Sequence, residues 1–124
     1  MKWTLAGLLL ASGLAAAAAA QDRVQVVGPP GARLLLDNAS VSVIRIRLAP
    51  HQKIPLHDVT PRVVIWLTAG ALKDTLATGE TRVERPRAGD VEWVPAQRHA
   101  GENLGDAPLE FIAVVPKPQP AAQR

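Results

Sequence analysis

The chain has 124 residues, with 14 lysines and arginines against 11 acidic residues, a formal charge of +3, and no cysteine. Without cysteine there is no disulfide framework, no thiol nucleophile and no thiolate metal site. The arginines are scattered singly among apolar residues, with no basic run and no aromatic stacking set, so nucleic-acid binding has no support.

Residues 1–20 read as a cleavable secretory signal. Lys2 gives the positive start, Trp3 to Ala20 is uncharged with Leu5, Leu8, Leu9, Leu10 and Leu14 at its centre, and Ala18-Ala19-Ala20 precedes Gln21 as a small-residue cleavage pattern. An alanine-rich run is weakly hydrophobic for a spanning helix, so a periplasmic or secreted protein without a stable membrane anchor is expected. The mature chain then has 104 residues (124 − 20), enough for one domain with a modest core.

Beyond the signal, short segments follow a two-residue period and no long helix is expected. Arg23–Val27 and Arg33–Leu36 are weak strand candidates, divided by the turn Gly28-Pro29-Pro30-Gly31. Asp37-Asn38-Ala39-Ser40 leads into Ile44, Ile46 and Leu48, which alternate with Arg45 and Arg47 and place aliphatics on one face and arginines on the other. Val63-Val64-Ile65-Trp66-Leu67 is almost continuously apolar, the pattern of a strand buried on both faces. Ala71–Leu76 and Glu80–Glu84 are weaker candidates, Val91, Trp93 and Pro95 alternate with Glu92 and Val94, and Leu109–Val115 is the last strong strand. Gly, Asn, Asp and Pro punctuate these segments, which predicts an all-β sandwich or barrel. The expected organisation is an N-terminal arm over 21–39, a barrel over 40–117 and a disordered tail over 118–124, where prolines cannot join a sheet interior.

Two motifs carry the chemistry. The first runs from His51 through Pro55-Leu56-His57-Asp58-Val59 and Val63 to Gly70, and the second is Gly89, Pro95, His99 and Asn103. Together they resemble the two motifs of the small single-domain cupins, over roughly Ser40 to Lys117. In that alignment His51 stands at the family's opening glycine and His57 at its first histidine. Val59 stands at the second histidine, Val63 at the glutamate and Gly70 at the closing glycine; the second motif matches throughout.

The resemblance implies a double-sheet, jelly-roll β-barrel with its site inside. It also implies one divalent metal (iron, manganese, nickel or zinc) on three histidines and a glutamate. Here only His57 and His99 remain of those four, which predicts weak or no metal binding unless water, Gln97, Glu102 or His51 completes the set. The expected pocket lining is His57, Val59, Val63, His99, Trp66, Trp93, Arg62 and Arg98. The arginines are candidate anion contacts and the tryptophans are either pocket walls or packing residues. Asp90 and Glu92 share a strand face and read as exposed.

The leading functional reading is an exported cupin-domain protein that binds a small molecule in the barrel. One alternative is a metal-dependent dioxygenase, isomerase or lyase using His57 and His99 with non-standard ligands. The other is a non-catalytic structural dimer module. A homodimer joined through the strand Arg23–Val27 is expected, since a cysteine-free domain of this size has little spare stability.

Overall fold

Alternation decides which face each strand buries. In the computed structural model, which describes residues 29–121, the strand β2 (Val41–Leu48) buries Ser42, Ile44, Ile46 and Leu48 and turns Arg45 and Arg47 outward. The signal segment, its cleavage position and Arg23–Val27 lie outside the described residues. The remaining strands are β1 (Arg33–Asp37), β3 (Lys53–Val59), β4 (Arg62–Trp66), β5 (Leu72–Leu76), β6 (Thr81–Glu84), β7 (Val91–Val94), β8 (Gln97–Asn103) and β9 (Leu109–Pro116), with no helix among the described residues.

All pairs are antiparallel, in a five-stranded sheet ordered β1-β2-β9-β4-β7 and a four-stranded sheet ordered β3-β8-β5-β6. The buried phase of β2 is carried across the larger sheet by register: Ile44 pairs with Ala113, and Ala113 with Val64; Ile46 pairs with Phe111, and Phe111 with Trp66. These residues, with Leu48 and Leu109, form the core, and Ile54 and Leu72 of the smaller sheet pack against it. The two sheets thus close face to face on one apolar layer, in which each fully buried aliphatic side chain contributes about 1.5–3 kcal/mol. Trp66 anchors it, 3% exposed, its ring 4.9 Å from that of Phe111.

Two family glycines have visible reasons. Gly89 takes φ +91° in the turn before β7, and a Cβ on Gly70 would fall 2.6 Å from the Leu109 Cδ1. His51, at the position of the family's opening glycine, takes φ +60°, the left-handed conformation that glycine would supply there. Asn103, at the family's asparagine, is 1% exposed. Its amide nitrogen donates to the carbonyls of Leu48 (3.3 Å), Ala49 (3.1 Å) and Ala107 (3.0 Å), and its Oδ1 accepts from the Gly105 N–H (3.0 Å). That residue ties the β2–β3 loop to the β8–β9 loop.

Candidate functional site

β3 and β8 bring the two motifs together. His57 pairs directly with His99, and their rings stand 4.9 Å apart at 54°. β3 is an edge strand with an irregularity between Ile54 and His57, which accommodates Pro55 where a central strand could not. The His57 Nδ1–H donates to the Pro55 carbonyl at 2.8 Å. The His99 Nδ1–H donates to the Asp74 Oδ1 at 2.6 Å, and Asp74 is 3% exposed. A carbonyl and a carboxylate can only accept, so each ring, when neutral, carries its proton on Nδ1 and leaves the Nε2 lone pair free. The Asp74 Oδ2 accepts two further bonds from Arg82, at 3.1 Å from Nε and 3.0 Å from Nη2. Asp74 is therefore occupied on both oxygens.

Burial pushes the His99 pKa below its ordinary value; Asp74 opposes this, and the charges of His57 and Arg62 add to it. The ring orientation of His99 is fixed by the buried Asp74 carboxylate. Arg82 also stands 3.7 Å from Glu84, which faces inward from β6. Glu84 is pushed up to about 7, first by burial, then by the charges of Glu92 and Asp74, with Arg82 pulling the other way. A polar band thus runs along the interior from His57 and His99 through Asp74 and Arg82 to Glu84 and Glu92. A cleft of about 290 Å³ opens at its far end, walled by Trp66, Glu84, Pro86 and Glu92. A groove of about 280 Å³ lies over Lys53, Lys73 and Glu102. Neither is lined by His57 or His99.

The sequence-expected lining divides between two faces. His57, Val59, His99, Arg62 and Trp66 share the phase that faces the interior. Val59 is 7% exposed, opposite Gln97. Arg62 is half-buried, and its Nε and Nη2 donate to the Thr60 carbonyl and hydroxyl. Val63 does not face inward: Val64 and Trp66 occupy the core, so Val63 lies on the outer face between Val114 and Trp93. The interior position nearest to the family's glutamate is Val64. Trp93 is 59% exposed on that outer face, and Arg98 points outward to Asp58 at 3.3 Å. Of the proposed completing residues, His51 is held in its loop by Asp106 at 2.7 Å. Glu102 lies between Lys53 and Lys73 on the outer face of the smaller sheet, and the Gln97 amide sits 3.3 Å from the His99 Nδ1 that already donates to Asp74. Glu92 does not read as the sequence suggests: it takes the interior phase beside Glu84, while Asp90 closes the turn by accepting the Arg87 N–H at 2.8 Å.

Sequence reasoning missed Asp74 and Arg82. One signal was available, since Asp74 sits at the interior phase between Leu72 and Leu76, where a charge needs a buried partner.

A cupin domain from Bordetella pertussis superposes with a TM-score of 0.66 at 24% identity, covering 73% of this chain and 98% of that one. The chain has the cupin fold. An RmlC-like cupin from Methanocaldococcus jannaschii, described as a double-stranded β-helix, gives 0.57 at 22% identity, covering 68% and 77%. A cupin 2 conserved barrel protein from Salinispora arenicola gives 0.51 at 26% identity, covering 67% and 71%. Comparison by sequence alone, against family models and against curated proteins, finds no match.

The cupin fold implies a bound metal, which this donor set must be able to hold. Two imidazoles are present, two ligand positions are valine, and Asp74 spends both oxygens on His99 and Arg82. Among the described residues, no group of three or more His, Asp or Glu is arranged to hold a metal ion. The residues do not fit a tightly held cation, which needs three or more converging protein ligands.

Proposed function

We propose that this protein is an exported cupin-domain protein that binds a small molecule in the barrel interior, with weak or no metal binding. The observation that carries the reading is the facing pair of His57 and His99, both with Nε2 lone pairs free. Such a pair accepts hydrogen bonds, so it favours a ligand that carries hydroxyl or ammonium donors. The polar band through Asp74, Arg82 and Glu84 extends the same interior toward the cleft beside Trp66.

The test is native mass spectrometry on protein purified from its own compartment. The expected result is a small-molecule adduct in the natural protein that is lost in His57→Phe and in His99→Phe, with an N-terminus at or near Gln21. A natural protein that carries stoichiometric iron, manganese, nickel or zinc through dialysis would contradict the reading.

A second reading is an enzyme of the isomerase type working by proton transfer, favoured by the Asp74–His99 bond alone. A carboxylate that orients an imidazole stabilises the imidazolium formed when Nε2 takes a proton. Turnover lost in His99→Gln and in Asp74→Asn, with the ligand still bound, would select it over simple binding.

A further inference from the structure

β6 is the last strand of the smaller sheet and β7 the last strand of the larger one, so no ladder of backbone bonds joins their facing edges. The chain crosses this seam through residues 85–90, and the crossing is pinned at both ends. The Gly70 N–H donates to the Pro86 carbonyl at 3.3 Å, the Gly89 N–H to the Trp66 carbonyl at 2.7 Å, and the Trp66 N–H to the Asp90 carbonyl at 2.9 Å. β7 pairs with β4 along all four of its residues. β6 pairs only with β5, and three of its four residues are exposed. A short, exposed edge strand opens at lower cost than the rest of a sheet, so β6 is the member that can move.

Across the seam, on the interior phase, Glu84 of β6 lies within hydrogen-bonding reach of Glu92 of β7. A carboxyl and a carboxylate can share one proton, whereas two carboxylates have none to share and repel. Arg82 cannot neutralise the pair. It is bound to Asp74 at 3.0 and 3.1 Å and stands 3.7 Å from Glu84. Asp74 adds its own negative charge from β5, and from β4 it is the Trp66 ring that reaches the cleft. Two more charged groups line the cleft: Asp90 is engaged by the Arg87 N–H, and Arg85 is exposed. Once the shared proton is gone, Asp74, Glu84 and Glu92 face the single Arg82 guanidinium. The raised pKa of Glu84, about 7, places that change near neutrality.

We propose that Glu84 and Glu92 form a proton-operated latch on the β6–β7 seam, closed while they share a proton and opened by its loss, with β6 swinging about the pinned crossing at Pro86. Opening widens the cleft of about 290 Å³ and wets the edge of Trp66, which is 3% exposed in the latched state. It joins the polar band to solvent at the end away from His57 and His99. The barrel then has a mouth that is shut in mild acid and open in mild alkali. The latch needs no ligand in the barrel, so its failure would leave the binding reading untouched.

Acrylamide quenching of Trp66 fluorescence is the experiment. In the full chain carrying Trp3→Phe and Trp93→Phe, Trp66 is the one remaining tryptophan. Trp93 is 59% exposed, so its replacement leaves the core intact. The quenching constant is expected to rise roughly threefold between about pH 5.5 and pH 8.5 with unchanged far-ultraviolet circular dichroism, as a local opening requires. Adding Glu84→Gln or Glu92→Gln should hold it at the low value throughout, because an amide still bonds the remaining carboxyl and no pair of like charges forms. Should the reporter fail to fold, the same titration runs on the natural chain, where Glu84→Gln subtracts the background from Trp3 and Trp93. A quenching constant that does not change with pH overturns the latch. A rise that persists in either glutamine variant also overturns it and assigns the change to another group, such as His99. A rise accompanied by loss of circular dichroism overturns it as well, because the whole barrel would then be unfolding.

Discussion

Replacing Glu84 by glutamine should stabilise the protein in mild alkali and leave it nearly unchanged in acid. Glu84 faces inward, 27% exposed, beside Glu92 and Asp74, and its pKa is raised from 4.5 to about 7. In the folded state it binds a proton more tightly than in the unfolded chain. Stability from this group is therefore fully present below pH 4.5, falls as the pH rises from 4.5 toward 7, and stays lost above that. The gap of about 2.5 pH units, at about 1.4 kcal/mol each, sets a ceiling of about 3.5 kcal/mol. Glutamine has the same size and can still donate to Glu92, but it never ionises. It gives up the attraction to Arg82, 3.7 Å away, which returns part of the gain. The net effect is about 2 kcal/mol at pH 8.5, or roughly 10 °C in Tm for a domain of this size. The assay is thermal unfolding of both proteins, followed by circular dichroism at pH 4.5 and pH 8.5. Comparing the two removes titrations they share, including that of His99. An equal Tm difference at both pH values would mean that the Glu84 charge is not what the interior resists.

Two further substitutions probe the family positions. Asn103→Asp should destabilise by about 3 kcal/mol at neutral pH, measured by urea unfolding, because a carboxylate would face the Leu48, Ala49 and Ala107 carbonyls that now accept from the amide. The loss should shrink on acidification. His51→Gly should change stability by no more than about 1 kcal/mol in either direction, since relief of the left-handed backbone offsets the lost Asp106 contact, whereas His51→Val should destabilise clearly. Equal Tm values for the two His51 variants would remove the backbone argument.

Much of the barrel is written in the strand periodicity. Ile44, Ile46 and Leu48 against Arg45 and Arg47 fix one face of β2, and the glycine and asparagine turns divide the chain where the strands end. β8 carries no such signal. Gln97-Arg98-His99-Ala100-Gly101-Glu102-Asn103 is polar and holds a glycine, and it becomes a strand because β3 and β5 pair with it on both sides. Tertiary context outweighs local preference there. In the site, the His57–His99 pairing follows from the motifs. Val63 and Val64 do not sort by motif spacing, because the loop at Thr60 and Pro61 sets the phase of β4, and one residue of slip reverses every side chain. Asp74 and Arg82 are eight positions apart and meet only through the β5–β6 register, which no short-range pattern expresses.

On the proposed reading, the barrel interior presents two imidazole nitrogens without a complete metal cage. Thermal unfolding with and without added zinc or manganese tests it most directly, on the natural protein and on Val59→His. Val59 shares the interior phase of β3 with His57, so the substitution adds a third imidazole beside the existing two. A cation present at about a hundred times its Kd stabilises the folded state by about 2.7 kcal/mol, which for this size raises Tm by 10 °C or more. No such rise is expected for the natural protein, and a clear rise is expected for Val59→His. A natural protein that gains 10 °C with metal and loses that gain in His57→Ala would contradict that reading.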